Sequence, residues 1–369
     1  MFLLQLGLIG ICIALLPLSY VWAKVDDSKF RKLVWLTTFL TLDLIMFGSF
    51  TRLTDSGLGC PDWPGCYGTS SPFIAHAQIA AAHAAMPTGP VSMVKAWLEM
   101  LHRYFAMAIG VLIIAQTVIA WTARIKKRPL HVSPWWPTGI LALIVLQGAF
   151  GAWTVTLKLQ PVIVTTHLLL GLALLGALGW LAARMTPIPS LDSSAARWMP
   201  ATVFGLLLLI VQIALGGWVS TNYAVLACTD FPLCNGQWIP PMNFEYGFHL
   251  WRALGMTGDG DVISQDALVA IHWTHRIFAV VVVLYLLWLA ARLRRFESLR
   301  KPANGVLLVI VIQFLTGLFN IVLQWPLPIA VAHNGGAAIL LLLLVMLNFQ
   351  IFSSRPGRAT VPAHDVVSA

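Results

Sequence analysis

The sequence predicts an all-α integral membrane protein of nine transmembrane helices: two pseudo-symmetric four-helix bundles plus one added N-terminal helix. Three observations carry that prediction. The 369 residues are 59% hydrophobic and only 10% charged, with a mean hydropathy of +0.81, whereas a soluble domain is about one quarter charged. Such a chain cannot cover its surface with polar groups, so a lipid bilayer is its solvent. Nine apolar stretches reach the roughly 20 residues needed to cross a hydrocarbon core about 30 Å thick. Eight of the nine fall into two sets of four that echo each other in sequence.

The stretches lie near 2–23, 33–52, 97–121, 136–157, 162–183, 200–221, 268–291, 305–324 and 327–352. The first begins directly after Met1 with no basic n-region and is long enough to span, so it reads as a helix rather than a signal peptide. Residues 1–32 are therefore an added N-terminal element, 33–190 the first repeat, 191–352 the second and 353–369 a cytoplasmic tail. The segments 24–32, 122–133, 183–199, 292–303 and 353–369 hold 17 of the 23 Lys and Arg residues. The alternate loops hold only Arg52, Lys95, Lys158 and Arg252, while Arg103 and Arg276 lie inside helices. This positive-inside pattern puts the N-terminus outside and the C-terminus in the cytoplasm. It also explains the net charge of +9 without any nucleic-acid partner.

The repeat is legible residue by residue. Gly48 to Gly68 reads GSFTRLTDSGLGCPDWPGCYG, and Gly216 to Gly236, 168 positions later, reads GGWVSTNYAVLACTDFPLCNG. Both contain Cys-x-Asp-aromatic-Pro-x-Cys followed by Gly at one offset. Leu101-His102-Arg103 answers Thr274-His275-Arg276, Gln147 and Gly151 answer Gln313 and Gly317, and His167 answers His333. An even number of helices per repeat gives both halves one orientation, related by a pseudo-twofold axis along the membrane normal.

The four histidines fall on the second, fourth, sixth and eighth helices of the repeats. Each sits in the first two turns of a helix that runs inward, so all four lie near one level, about 8–12 Å below the outer surface. A lone histidine in an apolar helix is most often a packed residue. Four at one depth point to function, because ionisable groups in a bilayer are costly. Zinc prefers four clustered N or S ligands. Two imidazoles per half suit haem better, since the porphyrin supplies four equatorial nitrogens. Arg103 and Arg276 lie where haem propionates are expected, and guanidinium suits carboxylates; interfacial snorkelling is the plainer account. No Cys-x-x-Cys-His occurs, so covalent c-type haem is excluded.

The pairs Cys60/Cys66 and Cys228/Cys234 lie in outer loops, where an oxidising periplasm forms disulfides. A structural bridge is the favoured reading and a redox role the alternative. Cys12, in the added helix, reads as packing. One turn before the first ligand the halves differ: Glu99-x-x-His102 against His272-x-x-His275. Residues three apart share a helix face, so Glu99 lies beside whatever His102 binds and can exchange protons there. A helix-start acid complementing the dipole is the bland reading. Asp43, mid-helix, reads as a buried acid on a proton path or in a structural hydrogen bond. His76, His83 and His249 read as solvated loop residues.

TRLTDSGLGCPDWPGC at 51–66, Glu-x-x-His-Arg at 99–103, the second His-Arg at 275–276 and the histidines of the fourth and eighth helices resemble haem A synthase. The resemblance runs from about residue 33 to residue 352. It implies two pseudo-symmetric bundles in the bacterial inner membrane and oxidation of the C8 methyl of haem O to the formyl of haem A. His102 and His167 are then ligands of the substrate haem O, and His275 and His333 of a haem b cofactor. Glu99 becomes the family's important carboxylate and Cys60 and Cys66 its outer-loop pair. The implied partners are haem O, the farnesyltransferase that makes it (haem O synthase), terminal oxidases that receive haem A, and an unassigned electron donor. Two rivals stand beside this reading. A dihaem b-type electron-transfer protein uses the same histidines but needs neither Glu99 nor a pocket for free haem. A transporter with parallel repeats leaves the histidine level unexplained.

Overall fold

The computed structural model describes residues 1–23, 28–130, 132–186 and 193–354. The expected tail lies outside the described residues from 355 onward, as do parts of the basic segments around 24–32, 122–133 and 183–199. Among the described residues the regular secondary structure is helical, with no strand beyond isolated bridges such as Cys66 to Thr69 and Cys234 to Gln237.

The helices are α1 (Phe2–Ala23), α2 (Lys29–Leu53), α3 (His76–Ala85), α4 (Met93–Ile125), α5 (Trp135–Thr156), α6 (Pro161–Arg184), α7 (Met199–Thr221), α8 (Phe244–Gly247), α9 (Gln265–Leu293), α10 (Glu297–Val322) and α11 (Leu327–Ser353). Nine of these, all but α3 and α8, are long and apolar enough to cross a membrane. The chain is a multi-pass membrane protein.

Several helices outrun their apolar cores. α4 begins at Met93, where the Ser92 hydroxyl accepts from the Lys95 N–H at 3.3 Å. α9 begins behind the same kind of Ser cap, Ser264 on Ala267. α10 starts at the charged Glu297 rather than near 305. Hydropathy marks only the lipid-crossing core, while capping marks where the helix starts. The short helix α3 carries His76 and His83, which the sequence had placed in a loop. His83 Nδ1 lies 3.2 Å from the Val91 carbonyl.

Met1–Leu159 and Ala173–Thr186 form one compact unit; Gln160–Leu172 and the described part of Pro187–Pro362 form a second. In the first, α4 packs against α1, α2 and α5. Leu33 of α2 and Leu112 and Ile113 of α4 are fully buried with Leu178 and Leu181. Gln116 on α4 donates to the Thr37 hydroxyl of α2 at 2.8 Å. In the second unit α9 packs on α7 and α10, and α11 on α10 and α7. Small residues permit close approach, as is common for membrane helices: a Cβ at Gly205 would stand 3.0 Å from Leu286. The opposite faces, with Phe204, Leu207, Leu284 and Leu308 exposed, are those that lipid covers.

Two readings are corrected here. Asp43 is exposed on the side of α2, not buried. The buried face of that helix carries Thr37, Thr38 and Thr41, and position 43 is about half a turn away from 41. Cys12 likewise is exposed, off the face of α1 that buries Leu6, Gly10 and Ala14. α1 is apolar all round, so its periodicity does not announce which face is covered.

Candidate functional site

The predicted histidines sit on four helices: His102 on α4, His167 on α6, His275 on α9 and His333 on α11. Three of the rings lie directly over a glycine of a neighbouring helix. A Cβ at Gly48 would stand 2.9 Å from His102 Cε1, and one at Gly216 would stand 2.9 Å from His275 Cε1. These two glycines open the repeated motifs read from the sequence. A Cβ at Gly317 would meet His333 Cε1 at 3.1 Å. Only a residue without a side chain leaves room for an imidazole there.

Thr316 Oγ1 lies 3.0 Å from His333 Nδ1 while its own O–H donates to the Ile312 carbonyl at 2.8 Å. It therefore accepts from Nδ1–H. The Gln212 amide lies 3.0 Å from His275 Nδ1. Gln212 Nε2 also donates to the His275 backbone carbonyl at 3.2 Å, so the amide nitrogen faces this side of the ring. At His333 the hydrogen bond on Nδ1 leaves Nε2 open, as in histidines that ligate a metal.

Among the described residues no three His, Cys, Asp or Glu side chains gather as a metal site. Two oriented imidazoles are too few for a protein-only zinc centre and fit iron that already has four porphyrin nitrogens. The residues present in the second half therefore suit haem.

The Asp of the repeated Cys-x-Asp pattern has a role in both cysteine loops that the sequence alone does not assign. Both disulfides are formed, with Cα atoms 4.9 Å apart at Cys60–Cys66 and 4.7 Å apart at Cys228–Cys234. All four cysteines are buried, which favours a structural role over an easily reduced one. Inside each loop the Asp of Cys-x-Asp caps the backbone beyond the second cysteine. Asp62 accepts from the N–H groups of Tyr67 and Gly68 at 2.6 and 2.7 Å, and Asp230 accepts from those of Asn235 and Gly236 at 2.5 and 2.9 Å. The signal was present as a repeated acid between repeated cysteines.

Hydrogen bonds from the Gly236 and then the Asn235 N–H hold the Asp230 carboxyl below its ordinary value of 3.8, with the Arg276 charge assisting. A depressed folded-state value means the cap contributes above the ordinary carboxyl value and is lost as pH falls through the lower one. Reduction of Cys228–Cys234 by a phosphine should accordingly quicken below about pH 4. In Asp230→Ala it should be fast at neutral pH with no acid step. An acid step of unchanged size in that variant would remove Asp230 as its source.

Arg103 and Arg276 turn back onto these loops. Arg103 Nη1 donates to the carbonyls of Asp62 at 2.9 Å and Gly65 at 2.5 Å, and Nη2 pairs with Glu99 Oε1. Glu99 Oε2 accepts the Cys60 N–H at 2.8 Å, and the residue is 4% exposed. Arg276 repeats the grip, donating to the carbonyls of Asp230, Leu233 and Cys228 at 2.8, 3.0 and 2.9 Å. Its Nε donates to His272 Nε2 at 3.1 Å. The Glu99/His272 difference is thus a change of partner within one i,i+4 clamp.

Comparison with known proteins bears on this arrangement. The sequence model of the COX15-CtaA family, cytochrome oxidase assembly proteins, matches residues 31–345, a stretch that holds all four histidines and both cysteine loops. The chain belongs to this family. It is 40% identical to haem A synthase from Shewanella oneidensis over 337 residues, 89% of this chain and 100% of the relative. Haem A synthases from Methylobacterium nodulans and Rhizorhabdus wittichii are 29% and 27% identical, covering 82% and 84% of this chain and 86% and 90% of those proteins. The family match begins at residue 31, so α1 lies before it.

Proposed function

We propose that this protein is an enzyme of haem A biosynthesis that oxidises the C8 methyl of haem O to a formyl group. The observation that carries this is the family match across residues 31–345, with all four histidines inside it. In this reading residues 33–190 and 191–352 are two pseudo-symmetric halves in the bacterial inner membrane, with the cysteine loops outside and the C-terminus in the cytoplasm. His102 and His167 bind haem O, the substrate, and release haem A. His275 and His333 hold haem b, which supplies one-electron transfer when bound. The dihaem electron-transfer reading is the outcome the test below guards against.

The methyl group becomes an alcohol and then a geminal diol in two steps, each taking up one water and giving up two electrons and two protons, the electrons passing to an acceptor outside the chain; the diol then loses water to give the aldehyde. This chain's residues bind, orient and move protons in that sequence. Glu99 lies one turn from His102 on α4. Its oxygens take hydrogen bonds from Arg103 and the Cys60 N–H, and a carboxylate has about four acceptor sites. Lone pairs therefore remain to accept a hydroxyl proton from the substrate and return it as water leaves. Thr316 and Gln212 hold the second pair of imidazoles in place. Haem O carries a farnesyl tail, so a site among membrane helices suits its solubility.

The test is expression in a host that makes haem O but no haem A, followed by extraction and chromatography of the haems. Haem A should appear only with the chain present. Haem B alone, at full occupancy of the purified protein, would point to the electron-transfer protein instead.

A further inference from the structure

α1 precedes the family match, yet its first two turns sit on the family's cysteine loop. Gln5 Oε1 accepts from the Ser70 hydroxyl at 2.7 Å, and the Ser70 carbonyl accepts from Tyr104 O–H of α4 at 2.6 Å. Leu6, 2% exposed, shares one buried cluster with Cys60, Cys66, Met100 and Tyr104, and Phe2 and Ile9 pack against it. The Phe2 ring lies over Gly65, where a Cβ would stand 3.2 Å from it. Two turns along, Gly10 lets α1 lie against α4, since a Cβ there would meet Met107 Cβ at 2.9 Å. Among the described residues the second disulfide has no such helix. Cys228 and Cys234 are covered by Met242 from their own connection and by Leu268, Val269 and Trp273 of α9.

We propose that the first two turns of α1 are a positioning brace for the Cys60–Cys66 loop, with Phe2 and Leu6 covering the disulfide and Gln5 fixing the end of the loop through Ser70. The loop carbonyls that grip Arg103 are those of Asp62, Pro64 and Gly65, inside the braced stretch. α1 thus acts through the loop on the turn of α4 that carries Glu99 and His102. This goes beyond the proposed reaction and does not depend on it.

The two disulfides make the test internal to one molecule. The full-length chain in nanodiscs is treated with dithiothreitol, which supplies the two electrons for each bridge, and quenched over time with a mass-tagged alkylating agent. Peptide analysis then follows Cys60/Cys66 and Cys228/Cys234 separately. Phe2→Ala/Leu6→Ala should speed opening of Cys60–Cys66 on the order of ten-fold, since access to a buried bond follows local opening, and leave Cys228–Cys234 unchanged. Gln5→Leu, the milder change should the double variant not accumulate, should speed the same bridge several-fold. Gln5→Glu, which keeps the acceptor for Ser70, should restore the parent rate. An unchanged rate at Cys60–Cys66, or equal acceleration of both bridges, overturns the brace.

Discussion

Glu99→Gln should leave a folded protein with both disulfides intact and haem bound, yet form no haem A from haem O. The side chain keeps its size, and one amide end can still meet either Arg103 or the Cys60 N–H, but not both as the carboxylate does. Its negative charge is gone, and with it the capacity to take a proton from a substrate hydroxyl. Glu99→Ala goes further. Breaking a buried ion pair by removing one partner costs about 3–5 kcal/mol. Arg103, 9% exposed, would face only neutral carbonyls and a sulfur. That variant should lose both conversion and the hold on the Cys60–Cys66 loop. Extracted-haem chromatography reads the first loss and differential alkylation the second. Wild-type conversion in Glu99→Gln would take the carboxylate out of the chemistry and leave it a clamp. His272→Ala should be milder in the second half, because it removes one hydrogen bond from Arg276 Nε to a neutral acceptor and breaks no ion pair.

That contrast shows where sequence reading succeeds and where it stops. The nine spans were legible because lipid demands long apolar runs, and the repeat because cysteines, prolines and glycines recur at fixed offsets. The histidine–glycine contacts were latent in the same alignment, since Gly48 and Gly216 are matched positions. Adjacency to a ligand and the fit of guanidinium to carboxylates place Arg103 and Arg276 beside haem propionates, with interfacial snorkelling as the alternative, and neither reading points to the loop carbonyls that these side chains grip. Their direction has a physical rule behind it: long side chains on a helix lean toward its N-terminus. At this end of α4 and α9 the N-terminal side is where the cysteine loops fold over. Adjacency gave the neighbourhood, and only the chain's return path gave the partner. Asp43 failed for a different reason. The threonines at 37, 38 and 41 mark the packed face of α2, and position 43 lies about half a turn from it. α3 escaped notice because HAQIAAAHAA has helix propensity but neither the length nor the hydropathy of a span.

The second large effect is expected at those glycines. In Gly216→Ala the new methyl would lie 2.9 Å from His275 Cε1 and 3.6 Å from both ring nitrogens, so the imidazole must shift. A free histidine could yield by a few tenths of an ångström. A ring crowded by the Gln212 amide and fixed to iron cannot, and overpacking of this kind costs about 1–3 kcal/mol. Haem retention by the second half should fall by between about five-fold and a hundred-fold. Gly48→Ala should do the same for the haem bound through His102. Haem per chain and the low-spin bis-imidazole signal measure both. Gly110→Ala on α4 is the control, because a Cβ there meets nothing within 4 Å. Alanine is the better helix former by roughly 0.5–1 kcal/mol, so each substitution strengthens its own helix. Haem lost from Gly216→Ala but kept by Gly110→Ala can then come only from the crowded ring. Equal haem in the two variants would mean that His275 is not an iron ligand held in this position.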